Sequence, residues 1–252
     1  MSGPERPGER LDLLFRGRVK LLQDPRGYRT SVDAMVLAFF ARPHARRAKR
    51  TIDIGAGSGL VSVLLGLACP DSELHLVELQ PGLADRAARN LALNGCADRA
   101  RVHLHDVATG PPADLPRADL VVCNPPYYRP RDRLLPRHPE RLAAHYETTA
   151  DIAAFAAFAA SVLTPAGRSC WIYPQAERER LLDALVGAGL GDVRLHELEH
   201  RPGLEPVTRI LALARRGAAR VRAGRPIALH PERGDESRYA EPIEAFLASL
   251  SA

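Results

Sequence analysis

The chain has 252 residues, 46% of them hydrophobic, enough to fill the core of one α/β domain. Its longest mostly apolar stretch, Ile152–Leu163, is too short to span a bilayer, and its four cysteines (Cys69, Cys96, Cys123, Cys170) are scattered without a C-x-x-C pair, which speaks against zinc and against a disulfide framework. A net charge of +5, carried almost wholly by arginine, admits a nucleic-acid partner without demanding one.

Met1–Arg10 is polar and proline-rich and lacks the apolar core of a signal peptide, so residues 1–10 read as a disordered tail of a cytoplasmic protein. Residues 11–50 read as an N-terminal cap. Within it, Leu11–Leu22 alternates apolar and basic residues like a strand or hairpin arm, and Asp33–Phe40 reads as a helix with Ser31 available as its N-cap. Arg42–Arg50 is a basic link.

The main domain, 51–252, opens on the strand Thr51–Ile54, a turn carrying Gly55, Gly57 and Gly59, and the helical run Leu60–Ala68. Leu74–Val77 is a second strand, ended by Glu78, and Pro81–Asn94 an amphipathic helix closed by Asn94-Gly95. Val102–His105 is a third strand running into Asp106. Ala118–Cys123 is a fourth, stopped abruptly by Asn124-Pro125-Pro126-Tyr127. Asp151–Leu163 reads as a buried helix broken by Thr164–Gly167, followed by the strand Arg168–Tyr173 and the helix Gln175–Val186. Val193–Leu198 and Val207–Ala214 then supply closing antiparallel strands. This alternation predicts an α/β fold, a doubly wound Rossmann-like sheet, mostly parallel with an antiparallel closing strand.

The chemistry concentrates at strand ends. Glu78 follows Gly59 by about twenty positions, the spacing at which an acid meets ribose hydroxyls in nucleotide-binding sheets. The glycines run G-x-G-x-G, however, rather than the G-x-G-x-x-G of a pyrophosphate site, and there is no Walker-type lysine, so a nucleoside without phosphates suits the turn better. Asn124 and Tyr127 offer no useful acid, base or nucleophile near neutral pH. They can grip a planar nitrogen group by hydrogen bonds and stacking, the need of amine methylation on a base. His103 and His105 share a strand face, but no third ligand at a suitable spacing makes them a metal site.

Asp53–Gly59, Glu78, Asp106 and Asn124–Tyr127 resemble, in order, the motifs of class I S-adenosylmethionine-dependent methyltransferases, and the N-P-P-Y form resembles the branch that methylates amines. More narrowly, Gln23–Asp33, the arginine-rich stretch after Tyr127 and Ala144-His145-Tyr146-Glu147 are similar to the bacterial tRNA1(Val) (adenine-37-N6)-methyltransferase family. The likeness is dense from about Gln23 to Tyr173. Near the C-terminus Tyr239-Ala240 stands where the family tends to have Tyr-Thr.

The resemblance implies S-adenosylmethionine as cofactor, held by Arg29, Asp33, Asp53, Gly55, Gly57, Gly59, Glu78 and Asp106. Catalysis would fall to Asn124, Pro125, Pro126 and Tyr127, and RNA, tRNA in particular, would meet Tyr128, Arg129, Arg131, Arg133, Arg137 and Arg141. Clustered arginine beside aromatics supports that last reading on its own. Other amine targets stay open: rRNA guanine N2, DNA adenine N6 or a protein glutamine amide. So does a non-catalytic RNA-binding protein of the same fold.

Overall fold

The computed structural model describes residues 5–26, 31–127, 150–203, 206–233 and 238–250. Along the chain these form β1 (Arg10–Leu14), β2 (Val19–Gln23), α1 (Val32–Ala45), β3 (Arg50–Ile54), α2 (Leu60–Ala68), β4 (Glu73–Glu78) and α3 (Pro81–Leu93). There follow β5 (Ala100–Leu104), β6 (Ala118–Cys123), α4 (Ile152–Val162), β7 (Leu163–Pro174), α5 (Arg178–Gly187), β8 (Leu190–Glu199), β9 (Arg209–Arg215), β10 (Gly217–Ala223), β11 (Ile227–Ala228) and α6 (Glu241–Ala248).

The short apolar runs become the central strands because each is buried on both faces. In β6, Leu120 and Val122 face the cluster built on α1, α2, α3 and α6, while Val121 and Cys123 face the one built on α4 and α5. A strand covered on both sides has no polar face, hence the unbroken apolar run from Leu120 to Cys123. The strands pair in parallel in the order β5-β4-β3-β6-β7; β9 then runs antiparallel between β7 and β8, and β10 and β11 lie parallel to β8. This is a Rossmann-like, doubly wound sheet with an antiparallel closing strand.

Three local readings need correction. Helix α1 runs past the expected Phe40 to Ala45, through Pro43. A proline in the last turn forfeits one backbone bond, and burial of Ala41 and Ala45 offsets it. The expected break at Thr164–Gly167 is instead part of β7. A side chain at Gly167 would stand 2.8 Å from Leu163 Cδ2 and 3.1 Å from the Ala118 carbonyl, and it is here that the register of β6 on β7 shifts. Residues 164–167, four against Asp119 alone, interrupt the pairing, and the glycine closes that irregularity. Strand β10 was not foreseen: its residues are almost all exposed and show no alternation.

The N-terminal hairpin docks on α3 through two buried amides one helical turn apart. Asn90 Oδ1 accepts from the Leu22 N–H (2.7 Å) and its Nδ2 donates to the Leu22 and Ser58 carbonyls; Asn94 does the same for Lys20. Residues 5–10, expected within a disordered tail, are pinned to the same helix. Glu9 pairs with Arg86 and Arg89, and Arg6 with Asp85. The Arg89 guanidinium holds the Glu9 carboxyl down at about 2. Among the described residues no helix is long and apolar enough to cross a membrane.

Candidate active site

One row of paired residues sets the level of the site. Val77, Ile54, Cys123 and Trp171 stand side by side across β4, β3, β6 and β7. One residue further along come Glu78, Gly55 and Asn124, all at the carboxyl edge of the sheet. The chain winds from β3 to β4 and β5 on one side and returns to β6 on the other, and the crevice at such a reversal is where open sheets bind ligands. Because β9 is antiparallel, its amino end lies at this same edge, with Arg209 beside Pro174.

The glycine turn is left-handed at Gly55, Gly57 and Gly59, with φ of 69°, 58° and 83°. Gly59 also permits close packing of α2 on α3, since a Cβ there would stand 3.1 Å from the Ala87 Cβ and 3.3 Å from Leu76 Cδ2. Glu78 is buried rather than a solvated strand end. Its Oε2 accepts from the Gly57 N–H at 2.8 Å and its Oε1 from the Gln80 N–H at 2.9 Å, so one carboxylate ties the turn to the start of α3. Asp106 caps the turn after β5, accepting from the Ala108 N–H at 2.9 Å.

Asp53 lies beneath the turn and accepts from the Ser62 hydroxyl at 2.8 Å. Burial pushes its carboxyl up to about 7; the Ser62 bond opposes the rise and the Glu78 charge adds to it. Between the ordinary value of 3.8 and about 7, the folded protein holds a proton that the unfolded chain releases. Asp53 therefore weakens folding progressively as pH rises through that window, and its penalty is constant above it. Asp53→Asn keeps an acceptor for Ser62 and removes the titration. Its stability relative to the wild type is expected to be higher at pH 8 than at pH 5 by about 2 kcal/mol, two pH units at about 1.4 kcal/mol each with some relaxation. Thermal unfolding of both proteins across pH 5–8 measures this, and a difference that does not change with pH would place the titration elsewhere.

At the end of β6 a chain of polar contacts crosses the fold. The Tyr127 hydroxyl lies 2.5 Å from Asn124 Oδ1 and 2.8 Å from Asp33 Oδ2, and Arg209 Nε donates to the same Asp33 oxygen at 3.0 Å. The Arg209 guanidinium also lies 5.2 Å from the Tyr127 ring centroid, as a cation on an aromatic face, and Tyr173 meets that ring edge-on at 5.9 Å. Pro125 is buried and fixes the backbone after Asn124. Cys123, just before it, is fully buried; burial raises its thiol well above the ordinary range, so it is no nucleophile.

The fold thus gathers Asp33, Asp53, Gly55, Gly57, Gly59, Glu78, Asn124, Pro125, Pro126 and Tyr127 at one edge, with Asp106 at the end of the neighbouring strand. Arg29, Tyr128, Arg129, Arg131, Arg133, Arg137 and Arg141 lie outside the described residues. Arg209, Tyr173 and Ser62 are additions that sequence reasoning missed. His103 and His105 part company: His103 stacks on His75, and His105 Nε2 bonds the Gly110 carbonyl at 2.6 Å.

A ligand's chemistry can be read from this donor set. The Gly57 amide, which a pyrophosphate would need, is bound by Glu78, and the strand ends carry acids rather than bases. Such a set suits a ligand with hydroxyl, amino and cationic groups. S-adenosylmethionine, with ribose hydroxyls, amines and a sulfonium, is of that kind.

Comparison with known proteins agrees. The Methyltransferase small domain matches residues 30–137. The tRNA1(Val) (adenine(37)-N6)-methyltransferase of Cronobacter sakazakii is 34% identical over 181 residues, 71% of each chain. The Salmonella enteritidis protein of the same name is 36% identical over 128 residues, 50% of this chain and 51% of that one. In structure, a protein of Agrobacterium tumefaciens described as a predicted O-methyltransferase superposes with a TM-score of 0.67 at 22% identity, covering 87% of this chain and 97% of its own. An S-adenosylmethionine-dependent O-methyltransferase of Thermotoga maritima superposes with a TM-score of 0.54 at 16% identity, over 77% and 68%. At these identities the structural likeness is one of fold.

Proposed function

We propose that this chain, which belongs to the tRNA1(Val) (adenine(37)-N6)-methyltransferase family, transfers a methyl group from S-adenosylmethionine to the exocyclic N6 amine of an adenine in tRNA, at position 37 of the anticodon loop. The observation that carries the reading is the uncharged Asn124-Pro125-Pro126-Tyr127 turn seated beside the glycine turn, where the winding of the sheet reverses.

Gly55, Gly57 and Gly59 would let the cofactor approach the backbone. Glu78 would accept from its ribose hydroxyls, Asp106 from its adenine amine, and Asp53 would support the turn beneath its amino-acid end. When bound, S-adenosylmethionine would supply a methyl group whose bond to sulfur breaks as the bond to the amine nitrogen forms in line, releasing a neutral thioether, with one amine proton passing to solvent. The protein's part is therefore alignment and exclusion of water rather than covalent catalysis.

An N6 amine is a poor nucleophile because its lone pair is spread into the ring. Asn124 Oδ1 and the Pro125 carbonyl would each accept one of its N–H bonds, returning electron density to nitrogen and favouring the tetrahedral geometry of attack. The two prolines hold both acceptors on one point. Tyr127 would stack on the base, for about 1–3 kcal/mol. An adenine in an unpaired loop reaches such a cleft with less unstacking work than one in a duplex. Arg129, Arg131, Arg133, Arg137 and Arg141 would contact phosphates, which position RNA without reading its sequence.

Incubation with labelled S-adenosylmethionine and total tRNA from a strain lacking the enzyme, followed by nucleoside mass spectrometry, is expected to yield new N6-methyladenosine. Label in rRNA, DNA or release factor instead would overturn the substrate while keeping the chemistry.

A further inference from the structure

The Tyr127 hydroxyl has one proton and two acceptors within reach, Asp33 Oδ2 and Asn124 Oδ1. A carboxylate is the stronger acceptor, and Arg209 holds that same Asp33 oxygen in place. The proton therefore goes to Asp33, and the phenolic oxygen turns its lone pairs to Asn124. With the proton committed to Asp33, two oxygens cannot face each other at 2.5 Å, and since an N–H···O bond needs about 2.7–3.2 Å the contact opens by a few tenths of an ångström as the amide turns. The Asn124 amide must then present its Nδ2 to Tyr127, an exchange of O and N that leaves the side-chain outline unchanged. Its Oδ1 comes to the other side; among the described residues the Asn124 amide hydrogen-bonds with Tyr127 alone.

We propose that Asp33 and Arg209 are positioning residues that set the polarity of the Asn124 amide: through the Tyr127 hydroxyl they turn its oxygen toward the substrate, making the turn an acceptor site selective for amines over carbonyls. The proposal rests on Asn124 being the group that accepts from the target amine. Asp33, which the resemblance places among the cofactor's residues, then has a second role at the turn. It acts on the catalytic turn from a residue 94 positions away, and Arg209 acts from 176 positions beyond Asp33.

The test is a cycle of variants read by single-turnover methylation of tRNA and by equilibrium S-adenosylmethionine binding. Asp33→Leu removes the carboxylate and leaves Asn124 as the competing acceptor for the phenol, which turns the amide the wrong way round. The methylation rate constant at saturating cofactor is expected to fall about tenfold or more with half-saturating tRNA within about twofold, and any change in cofactor affinity is read separately at equilibrium. Tyr127→Phe leaves the amide unbiased and costs only about threefold on the same scale. The double variant is expected to return to the Tyr127→Phe level, because with the phenol gone nothing holds the amide reversed. A loss of packing alone would not be rescued by a second substitution. Arg209→Met repeats the test if Asp33→Leu does not fold, with a smaller fall and the same rescue.

Additive losses in the double variant overturn the proposal. So does weaker cofactor binding in Asp33→Leu with an unchanged rate constant, which would make Asp33 a cofactor contact alone. Asn124→Ala, measured alongside, separates the two levels. If it retains near-wild-type turnover, the catalytic reading of Asn124 falls; if it is crippled while the cycle is additive, only the polarity device falls.

Discussion

Asn124→Ala is expected to lower turnover by about 10²–10³-fold, the loss typical of one preorganised transition-state contact, while S-adenosylmethionine affinity stays within about twofold. The two readouts separate because of where the side chain sits. Among the described residues its hydrogen bond is with Tyr127, whereas the glycine turn and Glu78 are held by bonds of their own. Alanine leaves Pro125 and Pro126 in place, so the backbone of the turn keeps its shape, and the cofactor side of the crevice is untouched. What disappears is an acceptor that matters most as nitrogen becomes tetrahedral. A binding term common to substrate and transition state would appear in tRNA affinity instead. Turnover within about twofold of the wild type would remove Asn124 from the mechanism. A collapse of cofactor binding would assign its amide to the other half of the crevice.

How far the site could be read from the sequence follows from how each residue is held. Thr51–Ile54, Leu74–Val77 and Ala118–Cys123 are legible because strands buried on both faces are short, mostly apolar segments, their few polar residues (Thr51, Asp53, His75, Asp119) set singly among apolar ones. Gly55, Gly57 and Gly59 are legible because all three adopt positive φ, which leaves few other residue types. Arg209 is not legible. It reaches the site because an antiparallel closing strand brings its amino end to the carboxyl edge of the sheet, and a single arginine in an arginine-rich chain carries no mark of that. Asn90 and Asn94 are hidden for a different reason. Nothing in the pattern of residues 81–94 sets them apart, yet both are buried and bound to the backbone of β2. Strand β10 is an exposed edge, so nothing in its composition had to alternate.

Glu78→Gln should lose both stability and cofactor affinity, although the two side chains have nearly the same shape. In the wild type each carboxylate oxygen accepts from a backbone N–H, Gly57 on one side and Gln80 on the other. A glutamine amide has one oxygen for these two donors, so its Nε2 must face an N–H, donor against donor. One buried N–H loses its partner, at about 1–3 kcal/mol, and the other loses the charge that strengthened its bond. Relief of the Glu78 repulsion on Asp53 works the other way, but burial is the larger cause of the Asp53 shift, so it does not reverse the sign. The cofactor-free protein is expected to melt several degrees lower, at roughly 2–4 °C per kcal/mol for a chain of this size. Loss of a charge-assisted acceptor for ribose hydroxyls should weaken S-adenosylmethionine binding by about tenfold to a hundredfold. Calorimetric melting without cofactor and titration with it test the two roles separately. A lower melting temperature with unchanged affinity would leave Glu78 as a brace between the glycine turn and α3 and cancel its role at the ribose. An unchanged melting temperature with weak binding would mean that the turn holds its left-handed glycines without this carboxylate, and that Glu78 is buried there for the ligand alone.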